Sequence, residues 1–75
     1  MSNESKSDKF ARLATGRVKR VIEDIHLLTN LANTNNYDYT GEQVNKIVSR
    51  LKREVNLMAK AFRDGGEKDE VKFEL

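Results

Sequence analysis

The side chains with most chemical reach are one histidine, an adjacent acid pair and a concentration of lysine and arginine. His26 stands alone: the chain has no cysteine and no second histidine. Neither a zinc site nor a thiol or imidazole relay can be assembled from such a set. Glu23 and Asp24 are neighbours in sequence, so on a helix they project in different directions. Lys19 and Arg20 precede them by four residues, and exposed ion pairing is the expected use of both acids. Gly16 is isolated, and Gly65-Gly66 reads as a helix stop rather than a phosphate-binding loop. The chain is therefore expected to be no enzyme, with no metal, no cofactor and no small-molecule substrate.

The basic residues are the stronger signal. The net charge is only +2, but it is unevenly shared. Residues 9–63 carry 11 Lys and Arg against 5 Asp and Glu, a net of +6, and no acid occurs between residues 9 and 22. Residues 64–75 carry 2 against 5, a net of −3. Asymmetry of this kind informs about partners rather than about fold.

The elements that position these residues are legible in the apolar spacing. Ala11, Ala14, Val18, Val21, Ile25, Leu28 and Ala32 follow one another at alternating steps of three and four. Val44, Val48, Leu51, Val55, Met58 and Phe62 do the same. Each set is an a/d heptad seam, and strand alternation fits neither. Ser7 is the expected N-cap of the first helix, and Thr40 with Gln43 has the spacing of a capping box for the second. Gly65 supplies a left-handed stop. The intervening ANTNNYDYT is rich in residues that favour local turns. The spacing predicts a disordered tail at 1–7, a helix at 8–32, a loop at 33–40, a helix at 41–63 and an acidic tail at 64–75.

Read antiparallel, the two seams meet in register. Ala14 faces Phe62, Val18 faces Met58, Val21 faces Val55, Ile25 faces Leu51, Leu28 faces Val48 and Ala32 faces Val44. The fold class expected is therefore all-α, an antiparallel two-helix hairpin of coiled-coil type. It is not enough alone. Phe10, Leu13, Ile22, Leu27, Leu31, Ile47 and Leu57 lie beside or outside the seam, and Phe10, Leu31 and Ile47 at g with Ile22 at e widen the apolar stripe beyond one neighbouring helix. A 75-residue chain without disulfides rarely stabilises a core unaided. The core is expected to be completed by dimerisation into a four-helix bundle or by docking on a larger protein.

On this frame Lys9, Arg12, Lys19 and Arg20 take outward positions of the first helix, and Lys46, Arg50, Arg53 and Lys60 take c and f positions of the second. Such a face suits phosphate contacts, which give affinity and position without reading bases. Solvated helix-forming lysines and arginines are the plainer account. Gly16 lies among the first set, as a tolerated surface glycine or a place for close backbone approach. Tyr37 and Tyr39 suit stacking on unpaired bases, although at least one is expected to fold back over the bundle end. Val71, Phe73 and Leu75 alternate with charged residues, as in a strand added to a partner sheet or a disordered acidic tail.

The function expected is a non-catalytic accessory protein binding nucleic-acid backbone, RNA favoured over DNA, within a protein–nucleic-acid complex. The alternative is a protein-interaction module using Phe10, Ile22, Leu31, Ile47, Leu57, Tyr37 and Tyr39 on a partner. No apolar run is long enough to span a membrane, and a cytoplasmic location is expected.

Overall fold

The computed structural model of the chain describes residues 4–65 and 73–74. Among them are two helices and no strand: α1, Lys6–Asn30, and α2, Gly41–Asp64. The chain divides into two units, Met1–Tyr37 and Asp38–Leu75, each built on one helix.

In the first unit α1 begins at Lys6, two residues before the position the apolar spacing suggests. Its N-cap is Ser5 rather than Ser7, and the Ser5 hydroxyl oxygen accepts from the Asp8 N–H at 3.0 Å. The reason lies three residues downstream of each serine. Ser5 as cap makes acidic Asp8 the third helical residue, the one whose N–H the cap hydroxyl accepts and where the dipole still favours negative charge. Ser7 as cap would make Asp8 the first and apolar Phe10 the third. Lys6 and Ser7, expected in the tail, are thus helical. At the other end α1 closes on Leu31 in right-handed conformation. The N–H groups of Leu31 and Ala32 donate to the carbonyls of Leu28 and Thr29, both at 3.0 Å. These three-residue bonds tighten the last turn without a left-handed cap. Beyond it the Asn33 side chain accepts from the Asn35 N–H, and its carbonyl accepts from Tyr37 at 3.0 Å. Asparagine makes such turns because its short amide competes for backbone partners.

In the second unit α2 is capped at both ends. The Thr40 hydroxyl oxygen accepts from the Gln43 N–H, and the Gln43 side chain accepts from the Thr40 N–H, each at 3.0 Å. This is the reciprocal capping box. Gly65 ends the helix at φ 91°, a conformation that costs glycine little, and its N–H donates to the Ala61 carbonyl at 2.9 Å. Phe73 and Glu74 are in no regular structure. Val71 and Leu75, which share with Phe73 the expected strand pattern, lie outside the described residues.

No described residue is buried. Both seams are exposed apart from Ala14: Val18 retains 55% of its surface and Val55 56%. Leu13 and Ala14 of α1 are half-buried, as are Ile47, Arg50, Glu54, Leu57 and Ala61 of α2. The α2 set recurs at steps of three and four, so it forms one stripe beside the a/d seam rather than on it. Helices in proteins draw most of their stability from covering such faces.

Candidate nucleic-acid interface

In α1, Lys9, Arg12, Lys19 and Arg20 are all exposed. Arg12 is already engaged. Its Nε donates to Glu4 Oε2 at 2.8 Å and its Nη2 to Glu4 Oε1 at 3.0 Å. The two-pronged contact holds the Glu4 carboxyl below its ordinary range and raises the Arg12 guanidinium. It spans eight residues of sequence and ties the chain ahead of α1 to the second turn of the helix. Nothing in the residue types at 4 and 12 distinguishes this pair from many others of opposite charge.

The ion pairs Lys19–Glu23 and Arg20–Asp24 are not among those formed. Among the described residues there are two, Glu4–Arg12 and Arg50–Glu54. An exposed pair four residues apart gains about 0.3–0.5 kcal/mol, which the loss of side-chain freedom offsets. With the cation on the N-terminal side the orientation is also the weaker one. Glu23 and Asp24 therefore stay solvated. His26 is exposed on the same helix. No three His, Asp or Glu side chains among the described residues approach closely enough to hold a metal ion.

In α2, Lys46, Arg53 and Lys60 are exposed, whereas Arg50 is half-buried. Arg50 donates from Nε to Glu54 Oε1 at 3.0 Å, and its guanidinium lies over the Phe73 ring, 5.9 Å from the centroid. Only 25% of the Arg50 side-chain surface is exposed. Of the eight basic residues singled out by spacing, two are thus committed to partners within the chain.

The others on α2 are organised differently from the simple outward row. Ser49, Lys52, Arg53, Asn56, Leu57, Lys60 and Arg63 line an open depression of about 510 Å³. Lys52, Arg53, Lys60 and Arg63 belong to no ion pair among the described residues. Lys46 and Arg50 lie outside the depression. Lys52 and Arg63, outside the set of expected contact residues, line it with Ser49 and Asn56. The signal for them is positional: residues 49, 52, 56, 60 and 63 recur at steps of three and four, so they share one face. A charge count passes over Ser49 and Asn56, yet a hydroxyl and an amide both donate to phosphate oxygens. From Ser49 to Arg63 the helix rises about 21 Å, the axial rise of roughly six nucleotides of a duplex strand.

The apolar candidates also separate. Phe10 and Ile22 on α1 and Leu31 at its C-cap are exposed, as are Tyr37 and Tyr39 in the connecting segment. Ile47 and Leu57 on α2 are half-buried, and Leu57 belongs to the wall of the basic depression rather than to an apolar flank alone. A carbon built as Cβ on Gly16 meets nothing within 4 Å, so the chain itself imposes no close approach there. No helix among the described residues is long and apolar enough to cross a membrane.

Compared with known proteins, the chain matches no family model, no curated protein and no solved structure.

Proposed function

We propose that this chain is a non-catalytic accessory protein that binds the phosphate backbone of nucleic acid, RNA favoured, through the basic face of α2. The observation that carries the reading is the depression lined by Lys52, Arg53, Lys60 and Arg63, four cations outside the ion pairs of the described residues. Ser49 and Asn56 add neutral donors on the same face. A single helix face of this kind has no device for reading base edges, so contacts go to phosphate and sugar. Lys9, Lys19 and Arg20 of α1 extend the contact set, while Arg12 and Arg50 contribute only when released from Glu4 and Phe73.

The same proposal includes the assembly that makes the protein stable. The a/d seams of α1 and α2 pair antiparallel as a hairpin, and two hairpins associate as a four-helix bundle. The exposed seam residues support a structure completed by association, because an uncovered 24- or 25-residue helix is marginal in water. Such a factor works within a protein–RNA complex in the cytoplasm.

The test is the salt dependence of binding to a fluorescent uridine dodecamer. Wild type is expected to weaken steeply as salt rises. Arg53→Ala with Lys60→Ala should reduce the slope by about 1.4, two single-strand phosphate contacts, and weaken uridine and cytidine oligomers alike. Equal low-salt binding by wild type and a variant with all four depression cations replaced by Ala would sink the reading.

The exposed seams also favour a second reading, a protein-interaction module that offers an apolar helix face to a partner groove. That contact changes little with salt, so the titration separates the two.

A further inference from the structure

Arg50 sits on the half-buried stripe of α2, outside the residues that line the basic depression, and an aromatic ring lies against it. Its Nε is held by Glu54 at 3.0 Å, and the Phe73 centroid lies 5.9 Å from its guanidinium carbon. That distance is within the about 6 Å over which a ring face attracts a cation. Phe73 is itself 43% exposed, well below Phe62 on the seam at 67%. Ile47 and Leu57, three residues before and seven after Arg50, are half-buried on the same stripe. We propose that this stripe is a binding surface for an aromatic side chain, centred on Arg50 and Glu54, and that its occupant is Phe73 of the same chain.

Chain length supports occupancy within the chain rather than between copies. Arg50 lies about 22 Å before Gly65 along α2. Gly65 ends the helix in left-handed conformation, and the eight residues on to Phe73 reach at most about 26–29 Å. The reach suffices, with little to spare. Glu54 fixes the guanidinium plane from one side by a charged hydrogen bond, leaving a flat face for the ring. The last twelve residues carry a net of −3, so the segment that brings Phe73 suits the basic body of the chain. One consequence rests on the proposed nucleic-acid function. While Phe73 is seated, Arg50 is withdrawn from phosphate contacts, and the C-terminal segment acts as an internal competitor.

The experiment uses the full-length chain with arginine labelled in ¹⁵N and follows the Arg50 Nε–H resonance without nucleic acid. Phe73→Ala should remove a ring-current shift present in wild type, and Phe73→Tyr, which keeps the ring, should retain it. An unchanged Arg50 resonance in Phe73→Ala would overturn the proposal. Mixing labelled Phe73→Ala chain with unlabelled Arg50→Ala chain tests for exchange between copies. No recovery of the shift is expected, and recovery would overturn occupancy in cis. With the uridine dodecamer, Phe73→Ala should bind about two- to fivefold more tightly than wild type, and adding Arg50→Ala should cancel the gain. Absence of binding by every form would defeat the nucleic-acid reading and leave the docking to be decided by the Arg50 resonance alone.

Discussion

α1 and α2 are 25 and 24 residues long and carry the same three–four apolar seam, yet they are terminated by different means. α2 begins in a reciprocal Thr40–Gln43 box and ends on a left-handed Gly65 with Arg63 in its last turn. α1 begins on a single serine cap, reinforced by the Glu4–Arg12 clasp, and ends on Leu31 with no glycine and no basic residue in its last turn. The difference shows that a seam decides which face a helix presents, whereas the caps decide where it stops. The end of α1 has neither a left-handed cap nor a basic residue in its last turn, so that end is where fraying should start.

The largest expected effect tests what the helices share. Leu51→Ala on the α2 seam should cost about 2–4 kcal/mol of coupled folding and association. It is read as a loss of helical circular dichroism and a shift toward monomer in light scattering. An unchanged unfolding midpoint would mean that the seam faces water in the working assembly.

The next effects address the ends. Thr40→Ala should destabilise by about 1 kcal/mol by removing the hydroxyl half of the box. Adding Gln43→Ala removes the other half and should bring the loss above that of Ser5→Ala, which breaks one capping bond. Gly65→Ala should cost about 1–2 kcal/mol, since φ 91° strains any residue with a Cβ. Equal losses for the Thr40→Ala, Gln43→Ala double variant and Ser5→Ala in urea titrations would erase the contrast between the two helix starts. In the opposite direction, Gly16→Ala should stabilise α1 by up to about 1 kcal/mol, because the added methyl meets nothing and the helix gains propensity. If Gly16 serves close approach by a phosphate, the same variant is more stable but binds the uridine dodecamer less well.

The smallest effect concerns the clasp. Glu4 has its carboxyl lowered from 4.5 by Arg12. Its contribution is present above the unfolded value and is lost as the pH falls through the lowered folded value. The protection of first-turn amides of α1, corrected for the intrinsic exchange rate, should therefore fall as the pH drops through that lowered value in wild type. In Glu4→Gln it should already be low at neutral pH and lack this acid transition.

Much of this molecule is written locally. The seams, the Thr40–Gln43 box and the Gly65 stop each depend on residues within four positions of one another, and a helix repeats that relation along its length. The start of α1 was less legible because two serines competed, and the choice turned on what stood three residues beyond each. The basic face was legible as a set of positions, with Lys52 and Arg63 flanking it, but the depression they share with Ser49 and Asn56 required the shape of the helix surface.

By itself, then, the order of residues determined two helices, the face each presents and the caps of α2, because those follow from short-range hydrogen bonding and periodicity. Only the tertiary structure decided which arginines are engaged. Arg12 and Arg50 look alike in sequence, but one meets Glu4 eight residues back and the other, beside its local partner Glu54, also meets Phe73 far along the chain. The physical reason is that a charge on a long side chain takes its partner from wherever the chain returns in space, and no local pattern encodes that return.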